Sequence, residues 1–197
     1  RYAHRDYSLA PIAALIARQY AEKPGNYLAF FSSYTYLQAV LHELQMAHPQ
    51  IPVWQQSRQM DEVERQAFLD RFSSTGRGIG FAVLGGAFGE GIDLPGDRLI
   101  GAFIATLGLP QINPVNEEIK QRMEVMFGSN NGYGYTYLYP GLQKVVQAAG
   151  RVIRTVKDQG VVYLIDDRFN QPAIRKLLPT WWKVERCRLP LNKDPVL

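Results

Sequence analysis

The stretch "YLAFFSSYTYLQAVLHEL", residues 27–44, decides the fold because a strand, a turn and a helix follow one another directly in it. Its first five residues are apolar or aromatic, which predicts a buried strand. The two serines at 32–33 form the turn that caps the helix. One face of that helix carries four apolar side chains: Leu37, Val40, Leu41 and Leu44.

Helix and strand signals alternate along the rest of the chain. Ser8 is predicted to cap an amphipathic helix that ends near residues 24–25, and Asp61 with Glu64 has the spacing of a capping box. Apolar runs typical of strands lie at 51–54, 79–86, 99–110 and 160–166. Two more helices are predicted at 116–127 and 171–178. A turn-rich stretch is predicted at 128–141 and an edge strand at 181–189.

Five strands separated by helices predict an α/β fold with a mainly parallel central sheet. Because the strands are continuous apolar runs, helices should cover both faces and give three α/β/α layers. In such sheets, ligands bind where the strands end. We therefore expect binding residues in four places: Ser32 and Ser33, the loop 85–97, the segment after Leu107, and Asp166 to Arg168.

The composition is that of one packed domain with an uneven charge. The chain has 197 residues, 46% of them hydrophobic, and no apolar run approaches the roughly 20 residues that cross a bilayer, so we expect no membrane partner. The net charge is +4, and residues 141–190 carry ten Lys and Arg against four Asp and Glu. This excess favours an anionic partner, although ordinary surfaces also vary in charge.

Cysteine content and the first residue bear on the context of the chain. Cys187 is its single cysteine, so an internal disulfide and a Cys-based metal or iron–sulfur site are excluded, and a reducing compartment is expected. The chain opens on Arg1 without an initiator Met or a signal-like stretch. We therefore expect it to be a piece of a longer protein.

The segment "QAAGRVIR", residues 147–154, is predicted to be helical with one basic face. In a helix, Gln147, Arg151 and Arg154 fall within about 60° of one another, opposite the apolar side chains. Two guanidinium groups on one face can bind a phosphate from two directions. A solvated helix face is the alternative, and Gly150 argues against it because glycine in a helix interior usually has a packing reason.

Two further segments suit an anionic ligand. The loop "GGAFGEGIDLPGD" (85–97) is either a flexible surface turn or a sensing loop, and four of its residues are candidates: Glu90, Gly91, Asp93 and Asp97. "FFSSY" (30–34) offers hydroxyls and backbone amides at a helix N-terminus, which favours a nucleic-acid phosphate, although helix capping explains it equally well.

Absent motifs limit what the chain does alone. No Gly-Lys dipeptide occurs, so the chain has no P-loop for phosphates, and "DEVE" (61–64) is interpreted as a helix cap rather than an acidic Mg²⁺ box. We expect no nucleotide hydrolysis by this chain on its own.

Four tyrosines alternate along the turn-rich stretch. Two interpretations remain open for them: stacking on unpaired bases, or packing within the protein or at an interface. They are Tyr133, Tyr135, Tyr137 and Tyr139.

Four blocks resemble, in order and spacing, motifs IV, V and VI of the XPD/DinG group of superfamily 2 DNA helicases: "FFSSY", "FGEGIDLPGD", "LGLP" and "QAAGRVIRTVKDQGVVYLIDDRF". The resemblance covers about residues 27–169, and "LLPTWWK" (177–183) is similar to the end of the motor core. It implies a second RecA-like lobe of P-loop NTPase type, over 1–188 with a tail at 189–197, that lacks its own P-loop.

The resemblance also implies residue roles. Arg151 and Arg154 would reach the γ-phosphate of ATP across a cleft, one of them as an arginine finger, and Gln147 would position the nucleotide or the attacking water. The loop residues would link the nucleotide cleft to DNA: Glu90, Gly91 and Asp93, with Asp97 supporting them. Three residues would contact the phosphates of a single strand: Ser32, Ser33 and Tyr34.

The implied cofactors are ATP and Mg²⁺, bound jointly with a first lobe that supplies the P-loop and, in many members, an iron–sulfur cluster. The implied partners are single-stranded DNA, along which the motor moves 5′ to 3′, and the N-terminal lobe of the same polypeptide. The implied location is the bacterial cytoplasm, at the nucleoid during activity. Two departures lie near the expected DNA path: Gly89 precedes Glu90 where an aromatic is common, and "LPQINP" (109–114) lacks an aromatic. The alternative is a non-catalytic RecA-like module that binds nucleic acid or protein.

Overall fold

The computed structural model describes residues 5–86, 88, 94–153 and 159–187. Within them the chain forms these helices and strands: α1 (Arg5–Glu22), β1 (Asn26–Phe31), α2 (Tyr34–Ala47), β2 (Val53–Gln55), α3 (Glu62–Asp70), β3 (Gly78–Val83), β4 (Gly101–Ala105), α4 (Pro114–Phe127), α5 (Tyr139–Ala149), β5 (Val161–Leu164) and α6 (Pro172–Arg175). Single helical turns lie at Gly96–Arg98 and Asp167–Asn170, and a π-helical turn at Gly134–Leu138 leads into α5.

The five strands form one parallel sheet in the order β2-β3-β1-β4-β5. β1 lies at its centre, where Phe31 is in register with Val83 of β3 and Ala105 of β4. All six residues of β1 are buried, as expected for a strand covered on both faces. The predicted α/β fold is confirmed, and the sheet is parallel throughout its described strands.

Alternate residues of β1 enter two separate cores. Leu28 and Phe30 pack with Phe68 of α3 and Val145 of α5 on one face. On the other face lie the remaining apolar residues of the strand, Tyr27, Ala29 and Phe31, with the buried stripes of α1 and α2. The period of two in a strand thus divides one short sequence between both outer layers, which gives the predicted three-layer domain.

Two predicted helix starts are confirmed, and one is wrong. Ser33 caps α2 by accepting a hydrogen bond from the backbone N–H of Tyr36 at 3.3 Å. Asp61 and Glu64 form a reciprocal capping box at α3, at 2.8 and 3.2 Å. Ser8 does not cap α1, because the helix already includes Arg5, and its hydroxyl lies 2.7 Å from the hydroxyl of Tyr36.

Two predicted irregular or extended segments are wrong. The segment 128–141 is helical from residue 132 onward, because Gly132 allows the backbone to pack against Lys120 and Glu124 of α4 rather than to turn. Residues 181–187 form no strand. Instead, Arg175 donates a hydrogen bond to the carbonyl of Val184 at 3.1 Å, which ties this segment to α6.

Two glycines bring the loop after β4 against the first turn of α5. A Cβ on Gly141 would lie 2.7 Å from the carbonyl oxygen of Leu107, and a Cβ on Gly108 would lie 2.8 Å from the carbonyl oxygen of Gly141. Gly108 also has a φ of +69°, which side-chain-bearing residues rarely adopt. The "LGLP" motif therefore packs closely against the start of α5 and fixes its position.

We expect Gly141→Ala to lower the free energy of unfolding by about 1–3 kcal/mol, since its methyl group meets backbone atoms that cannot move independently. Urea denaturation of the chain measures this change. Gly150→Ala is the matched control at the other end of α5, where a Cβ comes no closer than 3.3 Å to its neighbours. Equal stability of the two variants would contradict the proposed close packing of Gly141 against the loop after β4.

Candidate functional site

The carboxyl edge of the sheet brings together two of the segments predicted to bind ligands. The backbone N–H of Leu84, just after β3, donates to the carbonyl of Phe31 at 2.9 Å, so Ser32 and Gly85 lie side by side. Ser32 is exposed, whereas Ser33 and Tyr34 are half-buried. The three predicted DNA-contacting residues thus lie at the expected edge, next to the start of the 85–97 loop.

Two cations join these residues at the same edge. The guanidinium carbon of Arg58 lies 5.1 Å from the centre of the Tyr34 ring, within the range of a cation–π contact. The end of the Lys144 side chain lies over Gly85, 3.1–3.3 Å from where a Cβ would be. Neither position is apparent in the sequence as a site residue, because Arg58 follows a short strand and Lys144 lies in α5 ahead of the segment 147–154.

Two described residues of the 85–97 loop, Phe88 and Leu94, are anchored in the core. Phe88 is fully buried and stacks on Phe68 with ring centroids 4.2 Å apart, and Leu94 is also buried. Asp97 is exposed on the turn Gly96–Arg98. Glu90, Gly91 and Asp93 lie outside the described residues. The described part of the loop is therefore packed into the core at Phe88 and Leu94.

Asp166 and Arg168 form a half-buried ion pair just after β5. Nε and Nη2 of Arg168 donate to the two carboxylate oxygens of Asp166 at 2.8 and 2.6 Å, and the backbone N–H of Arg168 adds a third bond at 3.0 Å. Burial alone would raise the pKa of Asp166, but the hydrogen bonds and charge of Arg168 outweigh it and hold that pKa below its ordinary value. The pair lines an open groove of about 1790 Å³ beside β5 that also reaches Ser32 and Thr106.

α5 runs antiparallel to the strands and connects the two edges of the sheet. Its start, at Gly141 and Lys144, lies at the carboxyl edge. Beyond its end, the Val152 side chain reaches Gly160, which immediately precedes β5 and also lies beside the backbone of Ile100, just before β4. Residues that immediately precede parallel strands lie at the amino edge of the sheet. The chain just after α5 has therefore reached the amino edge.

The helix predicted over residues 147–154 is wrong beyond Ala149 in the residues that the structure describes. α5 ends at Ala149 with Gly150 as its C-cap, and residues 150–152 form turns whose N–H groups bond back to residues 146–149. Gln147 is exposed on the helix, and Arg151 is half-buried in the turn near the amino edge. Arg154 lies outside the described residues.

Within the described residues, no group of three or more His, Cys, Asp or Glu side chains is placed to hold a metal ion. In the same part of the chain, no helix has both the length and the apolar character needed to cross a membrane.

Comparison with known protein families matches the description "Helicase C-terminal domain" to residues 16–185. The chain belongs to the helicase C-terminal domain family. Its resemblance to the XPD/DinG group is confirmed by curated relatives. The chain is 32% identical over 187 residues to the ATP-dependent DNA helicase chl-1 of Caenorhabditis elegans. This alignment covers 89% of the chain and 22% of that protein.

A second relative of this helicase domain is the XPD subunit of general transcription and DNA repair factor IIH from Arabidopsis thaliana, at 28% identity over 169 residues, with 80% of this chain and 21% of that protein covered. The chain thus spans about a fifth of the length of these relatives. A solved structure of XPD in its apo form superposes with a TM-score of 0.66 at 22% identity, over 86% of this chain and 33% of that one. The RecA-like fold expected for a helicase lobe is confirmed.

We expect Asp166→Asn to lower the free energy of unfolding at pH 7 by about 1–2 kcal/mol, because charge-assisted hydrogen bonds to Arg168 are lost. The native pKa of Asp166 is lowered, so its contribution is complete above the ordinary value of 3.8 and disappears as the pH falls through the lower native value. The difference between wild type and variant should therefore shrink below about pH 4. Urea titrations at pH 7 and in acid measure it, and a difference that stays constant would contradict the ion pair.

Proposed function

We propose that this chain is the second motor lobe of an ATP-dependent DNA helicase. One observation carries the proposal: a helicase C-terminal domain match over residues 16–185 falls on a complete five-stranded sheet whose sequence has no P-loop. Such a lobe cannot hold ATP alone and would complete a site begun by another. We take residues 1–188 as this lobe and 189–197 as a tail.

On the nucleotide side, Arg151 and Arg154 would approach the γ-phosphate held by the first lobe, one as an arginine finger, with Gln147 orienting the nucleotide or water. Arg151 is supported by its half-buried position in a turn next to a rigid helix end, which restricts the directions that its guanidinium group can take. ATP and Mg²⁺ would be bound jointly with the first lobe. An iron–sulfur cluster, where the protein has one, would belong to that lobe.

On the DNA side, Ser32, Ser33 and Tyr34 would contact the phosphates of a single strand that the motor tracks 5′ to 3′. Their support is their position at the carboxyl edge of the sheet, where α/β proteins bind ligands. Loop residues would couple this edge to the nucleotide: Glu90, Gly91, Asp93 and Asp97. The protein would work where the chromosomal DNA is, which for a bacterial cell means the nucleoid in the cytoplasm.

We expect Arg151→Ala and Arg154→Ala, each made in the full-length protein that contains this chain, to lower DNA-stimulated ATP hydrolysis by about 10³-fold or more. The reason is that an arginine finger stabilises charge that develops only in the transition state. Steady-state ATPase assays with saturating single-stranded DNA measure the loss. Arg151→Lys should not restore the rate, because an ammonium group lacks the planar fork of guanidinium.

Arg122→Ala is the control for these variants, since Arg122 is exposed on α4 and pairs with Glu118 at 2.8 Å. Circular dichroism and thermal melts check that each variant keeps its fold. Wild-type turnover in both arginine variants would remove the motor function and leave the alternative, a non-catalytic RecA-like binding module.

We expect the 197-residue chain to bind single-stranded DNA weakly and in a salt-dependent way, because the released counterions drive binding to phosphates. Fluorescence anisotropy with a labelled oligo(dT) at several salt concentrations measures the affinity. A logarithmic plot of affinity against salt with zero slope would contradict the DNA-binding part of the proposal.

A further inference from the structure

We infer, on the basis of the proposed function, that Arg58 and Lys144 are phosphate-binding residues for single-stranded DNA at the carboxyl edge of the sheet. They lie beside the segment Ser32–Tyr34, one reached from β2 and the other from α5. The two side chains come from sequence positions that no helicase motif described above includes, and only the tertiary structure places them together.

Arg58 is held where a strand could reach it. Gln56 extends the pairing of β2, because its N–H donates to the carbonyl of Phe81 at 2.8 Å and its side-chain oxygen accepts from the N–H of Val83 at 3.0 Å. The backbone is therefore fixed two residues before Arg58. The exposed guanidinium group then lies over the Tyr34 ring at 5.1 Å, which restrains it without neutralising its charge.

Lys144 is held at the end of the neighbouring strand, β3. The side chain is half-buried and passes over Gly85, whose lack of a Cβ leaves the space that the Lys144 methylene groups and Nζ occupy. Its ammonium group thereby lies at the end of β3 rather than along α5. Burying the stem while the charged end stays at the surface is the usual arrangement for lysine.

The charges of both groups are available to a ligand. In the described part of the chain, neither Arg58 nor Lys144 has a carboxylate within 4.0 Å, whereas five other cations do: Arg18, Arg65, Lys120, Arg122 and Arg168. Arg58 lies over Tyr34, just after β1, and Lys144 lies over Gly85, just after β3, so the two cations stand at the ends of neighbouring strands that are about 5 Å apart.

The test measures how binding of labelled oligo(dT) to the 197-residue chain depends on salt. Wild type is compared with Arg58→Gln, Lys144→Gln and the double variant. Each lost phosphate contact should reduce the slope of log affinity against log salt by about 0.7, and the double variant by about twice that. Arg58→Lys and Lys144→Arg, which keep the charge, should retain most of the slope.

Arg77→Gln is the matched control because Arg77 is exposed just before β3, at the amino edge, and its loss changes the net charge equally. Slopes for the two glutamine variants equal to that of Arg77→Gln, in a chain whose wild type binds DNA, would overturn this inference alone. A wild-type chain that does not bind oligo(dT) even at low salt would instead overturn the DNA-binding part of the proposed function.

Discussion

The structure depends on the burial of β1 from both sides. All six of its residues, 26–31, have no exposed surface, and the strand pairs with β3 on one side and β4 on the other. A backbone so enclosed satisfies its N–H and C=O groups only through neighbouring strands. Aromatic stacking adds to this constraint, since Phe31 lies 5.7 Å from Phe81 in a parallel-ring contact. The outer layers and both edges are arranged around this strand.

Parallel strands divide the domain into a carboxyl edge and an amino edge, and α5 is the element that joins them. Its glycine-rich start lies against the loop after β4, and the chain beyond its end packs on Gly160 before β5. Lys144 and Arg151 consequently lie near opposite edges although only seven positions separate them. In the proposed motor, one end of this helix would face DNA and the other would face the nucleotide, which is a physical route for coupling the two.

In the proposed motor, a lobe without a P-loop would contribute fixed charges rather than a nucleotide pocket of its own. Guanidinium groups suit this role because they remain charged and donate hydrogen bonds in a planar fork. Two different supports hold them here: a turn at a helix end for Arg151, and an aromatic ring for Arg58. The guanidinium group of Arg168 has a different role, because it forms an ion pair with Asp166 just after β5.

The strands, the capping of α2 and α3, and the family could be predicted from the sequence, because apolar runs, cap residues and motifs act over a few neighbouring positions. The end of α5 at Ala149 could not, because the apolar and basic pattern of residues 147–154 continues past the point where the backbone leaves the helix. Glycines misled the prediction at 128–141, where they permit contact between α4 and the π-helical turn. Only the tertiary structure brings Arg58 and Lys144 to the same edge, because spatial neighbours from β2 and α5 leave no local signal along the chain.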